Sequence, residues 1–336
     1  MSKQEQQKKA SGAGRHRAPG YAPGSFMAIV EKEITDHARS LRFIILLILI
    51  ALTTMGSLFA ALSNMPQILR DSGTDDPFFF LYLFSKADGT LPPFFVFIGF
   101  LGPLLGISLG FDAINSEHAR GTLARVMSQP IPRDFLLNAK FTAGILVIGV
   151  MFFTLSFLVM GIGLIALGIP PTPAEFLRVV TFTLVSILYV SFWLNLSILF
   201  SVKFRHAATS ALSGIAVWLF FTVFYPLIVD LATKGMQPGE FAHPRAVLLY
   251  EKIRFGLLQV IPNEMFSQVT SALLAPSVRS VGPLSVVEMQ GAVPGVLPTG
   301  QSILIVWPQL TGLLALTMVC FLFSYRSFMR REIRSR

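Results

Sequence analysis

Six apolar runs limit what this chain can become. Residues 43–63, 94–114, 141–167, 179–200, 207–231 and 303–325 are each long and apolar enough to cross a bilayer, for which about 20 residues suffice. Backbone groups in hydrocarbon must pair within the chain, so such runs become helices. The expected fold class is therefore an all-α membrane protein with six transmembrane helices. Only Asp112 and Asp230 are charged within the runs, and both lie near an end. Composition agrees: 53% of the residues are hydrophobic and 13% charged, where a soluble chain carries roughly 25%.

The flanking segments divide the rest. Residues 1–24 are polar, with several Gly and Pro, and read as a disordered cytosolic tail. The remainder, 25–336, reads as a single transmembrane domain. From Ser25, residues Phe26, Val30, Ile34, Ala38 and Leu41 recur at helical spacing, with Glu31, Lys32, Asp36 and Arg39 on other faces. That pattern is an amphipathic helix before the first span, lying along the membrane surface or extending the span into the cytosol. The first apolar run begins too late for a signal peptide. Residues 230–302 contain Pro and Gly throughout and are too interrupted to span. Residues 232–302 form an enlarged outer region between spans five and six, with helical pieces near 246–260 and 264–274 that can dip into the outer leaflet.

The net charge of +9 first suggests nucleic acid, but location decides otherwise. With the N-terminus cytosolic, 19 of the 27 Lys and Arg fall on the inner side. The positive-inside rule then places both termini in the cytosol of a multi-pass protein of the cell membrane. The lone Cys320 cannot form an internal disulfide.

Catalytic patterns are missing. The chain has no Gly-x-x-x-x-Gly-Lys-Ser/Thr phosphate loop and no HExxH, and its five histidines (16, 37, 118, 206 and 243) are scattered. Ser213-Gly214 in span five has no histidine base at membrane depth, so it reads as a small-residue packing site. Mid-span polar positions, such as Thr154, Ser191, Asn195 and Thr222, are neutral. Movement of protons or ions through charged mid-membrane sites is therefore not expected. No catalytic residue, metal site or cofactor is expected in this chain.

The loop Asp112–Lys140, between spans two and three, carries the remaining signal. Ser116 is placed to cap a short helix with Ala119, Leu123, Val126 and Met127 on one face, and with Gly121 inside it. Pro130 and Pro132 end that helix. The run Glu117-x-x-x-Gly121-Thr122-Leu123, followed by Ser128-Gln129-Pro130-Ile131-x-Arg133 and Lys140, resembles permease subunits of the type-two ABC transporter family. Ala139 and Pro132 depart from residues common there, outside the Glu–Gly–Thr–Leu core. The resemblance covers nearly the whole chain in layout.

It implies an exporter subunit in which Glu117, Arg120, Gly121, Thr122, Leu123, Ser128, Pro130 and Arg133 dock a coupling helix onto a separate ATPase. The implied partners are two copies of that ATPase, which would bind ATP and Mg, a second permease copy in a homodimer, and the lipid bilayer. Nucleic acid is not among them. The other reading is a non-transporting membrane anchor or signalling subunit that an ATPase regulates. Gly102, Gly106 and Gly110 recur every fourth residue on span two. They offer a close-packing face to the second copy, or to span three or five of the same chain. By the same resemblance spans two and five line the cavity, with Phe97, Phe100, Trp218, Phe221 and Tyr225 as candidate wall residues; these carry no fixed charge, so an amphipathic or lipid-like cargo is expected.

Overall fold

The computed structural model describes residues 24–72, 78–86, 91–119, 121, 132–239, 242–283 and 296–330. Helix α1 (Gly24–Ala38) is followed by a break at Arg39–Ser40 and then α2 (Leu41–Ser72), which holds span one. A short turn at Phe79–Leu81 leads into α3 (Tyr82–Ser85). Span two is α4 (Phe94–Gly110), and α5 (Asn115–Ala119) follows it. Span three is α6 (Arg133–Leu167) and span four is α7 (Pro173–Lys203). Span five joins α8 (Ala207–Leu219), a π-helical segment (Phe220–Phe224) and α9 (Tyr225–Thr233). The outer hairpin is α10 (Pro244–Leu258) and α11 (Pro262–Leu274). A short α12 (Thr299–Ile305) precedes span six, α13 (Trp307–Met329). All six are long and apolar enough to cross a membrane, and the described residues contain no strand.

Span four is the axis of the bundle. In its most apolar stretch 72% of the residues are buried, against 17% in span five. It packs on spans two, three, five and six and on α11. Its side chains explain the position: Tyr189, Trp193 and Phe182 are fully enclosed, as are the small hydroxyls of Ser186, Ser197 and Ser201. These hydroxyls need protein carbonyls or N–H groups, which lipid cannot supply.

The glycine stripe of span two is the mating surface. A Cβ on Gly106 would lie 2.7 Å from the Val190 carbonyl oxygen, and one on Gly110 2.6 Å from that of Leu194. Gly102 would meet a Val190 methyl at 2.8 Å. The stripe thus packs on span four of its own chain, whereas the sequence offered it to a second copy or to span three or five. Close contact closes the interface: Ser197 donates to the Ile107 carbonyl at 3.0 Å, and Tyr189 to that of Gly99 at 2.9 Å.

Several boundaries move from their expected places, each for a local reason. Span four begins at Pro173 rather than 179, because Thr172 and Glu175 cap it reciprocally. Span six begins at Trp307, since Pro308 is accommodated in a first turn and Val306 breaks the chain before it. In span five Pro226 does not simply kink a helix. The wider π turn immediately before it absorbs the missing N–H. In α11, Phe266, Val269, Leu273 and Leu274 are buried, so this piece packs into the bundle rather than lying on it.

Candidate functional site

The site lies at the bundle end where spans one and three begin and spans two and four finish. Val30 of α1 is buried against Ala139 and Ala143 of span three. The small alanines let α1 lie close to α6, and Phe26 meets Phe135 edge to face at 5.5 Å. That seating carries Glu33 inward. The Lys140 ammonium lies 2.9 Å from Glu33 Oε1 and 2.8 Å from Glu117 Oε1. The three side chains are 5%, 7% and 14% exposed respectively, so one buried cation joins the amphipathic helix, the segment after span two and the start of span three.

Two further anchors hold the same segment. Arg42, at the start of span one, pairs with Asp112 at 2.7 Å and covers the Phe111 ring at 4.6 Å. The Ser201 hydroxyl oxygen, at the end of span four, accepts from the Ile114 and Asn115 N–H groups at 2.9 and 3.2 Å. Together they enclose a polar cavity of about 300 Å3 lined by Lys32, His37, Ser40, Asp112 and Ser116 among others.

The electrostatics follow from burial and pairing. Burial pushes the Glu33 carboxyl up, but Lys140 and Lys32 outweigh it and leave it below the usual range. Lys32 loses some of its charge preference to burial and regains more from Glu33 and Asp36, so its ammonium sits above the ordinary value. His37 is held below its ordinary value, chiefly because burial opposes the imidazolium; Lys140 adds to this, and Glu33, Asp112 and Asp36 work against it. Lys32, Arg42 and Lys140 face Glu33, Asp36, Asp112 and Glu117, so the charges offset one another across the cavity with one carboxylate in excess. Such an arrangement fixes helices in place. Among the described residues no cluster of His, Cys, Asp and Glu suits a metal ion.

Two residues of the loop, Ser116 and Gly121, sit differently from their expected places. The helix runs from Asn115 to Ala119, so Ser116 lies within it and donates to the Asp112 carbonyl rather than capping it. Gly121 is not inside the helix. It follows the end in the left-handed region, at φ 69°, with open space where a side chain would be. Glycine adopts that conformation without the steric cost a Cβ brings. Arg133 opens span three and is exposed. Arg120, Thr122, Leu123, Ser128 and Pro130, with Val126 and Met127, lie outside the described residues.

The aromatic candidates are brought partly together. Phe100 meets Trp218 edge to face at 5.2 Å, joining spans two and five, and Phe221 lies 6.0 Å from Tyr225. Trp218 is buried, Phe97, Phe221 and Tyr225 are half-buried, and Phe100 is exposed. The indole N–H of Trp218 and the hydroxyl of Thr222 are enclosed without a hydrogen-bond partner.

Two residues escaped the sequence reading. Arg178, just outside the expected span 179–200, is fully buried in span four. It donates to the carbonyls of Leu273 and Leu297 and to the Ser302 hydroxyl, and stacks on Phe78 at 5.3 Å. Glu175 accepts from the Phe80 N–H at 2.7 Å. Between them they tie the segment before span two, α11 and α12 to span four. The available signal was Thr-Pro-Ala-Glu at 172–175, a helix-start pattern placing both charges inside the helix.

Residues 27–333 match the family described as ABC-2 family transporter protein. No curated protein matches the chain.

Proposed function

The chain belongs to the ABC-2 transporter family, and on that premise we propose that it forms the export pathway of an ABC transporter, driven by a separate ATPase docked on the loop between spans two and three. The membership establishes a multi-pass permease component of an ABC transporter, with an ABC ATPase as its implied partner. Two permeases and two ATPases, export as the direction, and cytosolic termini are parts of the proposal.

The observation that carries it is the triple junction at Lys140. A loop that only connected two spans would not require a buried cation tied to a separate amphipathic helix. Here a push on the segment beyond Glu117 reaches α1 and span three through Lys140, span one through Arg42, and span four through Ser201. Glu117 acts as a positioning residue, turned toward Lys140, while residues 120–130 supply the docking surface. Gly121 sets the direction in which the chain leaves the junction. ATP-driven closure of the ATPases shifts the bundle between two states only as far as ATP binds those states differently.

In this proposal the pathway runs past the Phe100–Trp218 pair and Phe97, Phe221 and Tyr225, none of which carries a charge. An ionic cargo would be desolvated there without compensation, so the cargo is amphipathic or lipid-like. The test is reconstitution of this chain with its ATPase in lipid vesicles. ATP-dependent movement of an amphiphile, with hydrolysis stimulated by that amphiphile, is expected. ATPase binding with no movement of any cargo would favour a regulated anchor instead, and stimulation by sugars or inorganic ions alone would overturn the cargo assignment.

A further inference from the structure

A second cavity lies away from the junction and from the paired aromatics of spans two and five. It is a cleft of about 560 Å3 between spans three, four and six, within the 300–1,000 Å3 typical of small-molecule sites. Phe141 and Ile145 line one side, Leu184 and Leu188 the back, and Leu314 and Phe321 the other side. Phe141 and Phe321 close one part of it at 5.4 Å between rings. Every lining residue lies in a span, and none is charged.

One polar group in this wall is unsatisfied. Ser191 is 3% exposed, and its hydroxyl has no hydrogen-bond partner. Its neighbours behave differently. Thr183, Ser186 and Thr317 each donate to the carbonyl four residues earlier, and Ser197 donates to Ile107. Ser191 alone among these leaves its O–H unused, and it lines the cleft. One turn further along span four, Asn195 donates to the Thr317 carbonyl while its own amide oxygen is buried without a partner. An unmade buried hydrogen bond is costly. Water is a poor remedy, because a buried water needs two to four polar partners and the only polar side chains in the lining are Ser191 and Thr317, whose hydroxyl already donates to Leu313.

We propose that this cleft is a binding site for a neutral lipid-soluble molecule, with an elongated apolar body and an uncharged oxygen that accepts from Ser191. The absence of charge in the lining selects a neutral ligand. The apolar walls hold its body, and the Ser191 hydroxyl fixes its position along the bundle. A ligand seated there braces span six against spans three and four. It contacts Phe141, whose neighbour Lys140 carries the junction described above. This assignment does not depend on the export reading.

The test uses a long-chain primary alcohol carrying a photoactivatable diazirine, with the permease–ATPase complex in lipid nanodiscs. Labelling is expected in 141–145, 184–191 and 314–322. Excess unlabelled alcohol should compete, and the alkane of equal length should compete less well. Ser191→Ala preserves the cleft and should weaken labelling about fivefold, the worth of one hydrogen bond of about 1 kcal/mol. Leu314→Trp fills the cleft and should abolish labelling there while leaving ATPase association unchanged. Uniform labelling of all lipid-facing spans, equal competition by alkane and alcohol, or labelling indifferent to both substitutions would overturn the proposal. So would protection of the cleft by a second copy of the chain.

Discussion

Replacing Lys140 with methionine keeps the length of the side chain and removes the cation that two buried carboxylates share. In the native arrangement the ammonium lies within 2.9 Å of both Glu33 and Glu117. Lys32 stays near Glu33, but it is 59% exposed, and an exposed pair contributes about 0–1 kcal/mol. It cannot replace Lys140. Breaking a buried ion pair by deleting one partner costs about 3–5 kcal/mol, because the charge left behind is uncompensated. Without Lys140, only Lys32 opposes the burial of Glu33, so its carboxyl rises from its native position and the defect should shrink as the pH falls and a proton neutralises the group. The assay is thermal unfolding of the purified chain in detergent, with co-elution of the ATPase as a second readout. Lys140→Met should unfold several degrees lower and lose the ATPase. The triple change Glu33→Gln, Glu117→Gln and Lys140→Met should recover most of the stability, since a neutral set of similar volume leaves no orphaned charge. A loss below about 1 kcal/mol in the single variant, with normal co-elution, would refute the junction.

Gly121 should tolerate asparagine better than alanine or leucine, because asparagine visits the left-handed region more readily. Equal loss of ATPase association in all three would mean that space rather than φ matters. Gly106→Ala should destabilise the bundle by about 1–3 kcal/mol in thermal unfolding, because its methyl would collide with the span-four backbone; an unchanged midpoint would contradict that packing. The fold favours neutral His37, so the unfolded chain binds the extra proton below the ordinary value of 6.5. Stability should therefore be full above about pH 7 and fall as pH drops through 6.5. His37→Gln should flatten that slope, and identical slopes in the two proteins would reject the assignment.

The sequence made the spans legible because run length and lack of charge are local properties, and α1 because Phe26, Val30 and Ile34 repeat at helical spacing. Arg178 was hidden by the same rule: a charge trims an apolar window, although here carbonyls of distant segments enclose it. The loop's Glu and Gly were recognisable, but their placement was not. That Glu117 turns toward Lys140 depends on how α1 seats on span three, and that Gly121 follows the helix depends on where the helix ends. The Gly102–Gly106–Gly110 stripe announced close packing without naming its neighbour. Span four's own hydroxyls and Asn195, spread around the helix, were the available clue that it lies at the centre.

The most direct measurement places a single cysteine at Thr122 in a Cys320→Ser chain and reconstitutes it with the ATPase. A short bifunctional reagent added from the cytosolic side should cross-link this cysteine to the ATPase, and the yield should change between nucleotide-free and ATP-bound states. Cysteines introduced at exposed span positions such as Leu52 should not cross-link. Labelling of the Thr122 cysteine from the outside of intact cells, or no cross-link to the ATPase in any nucleotide state, would contradict the account.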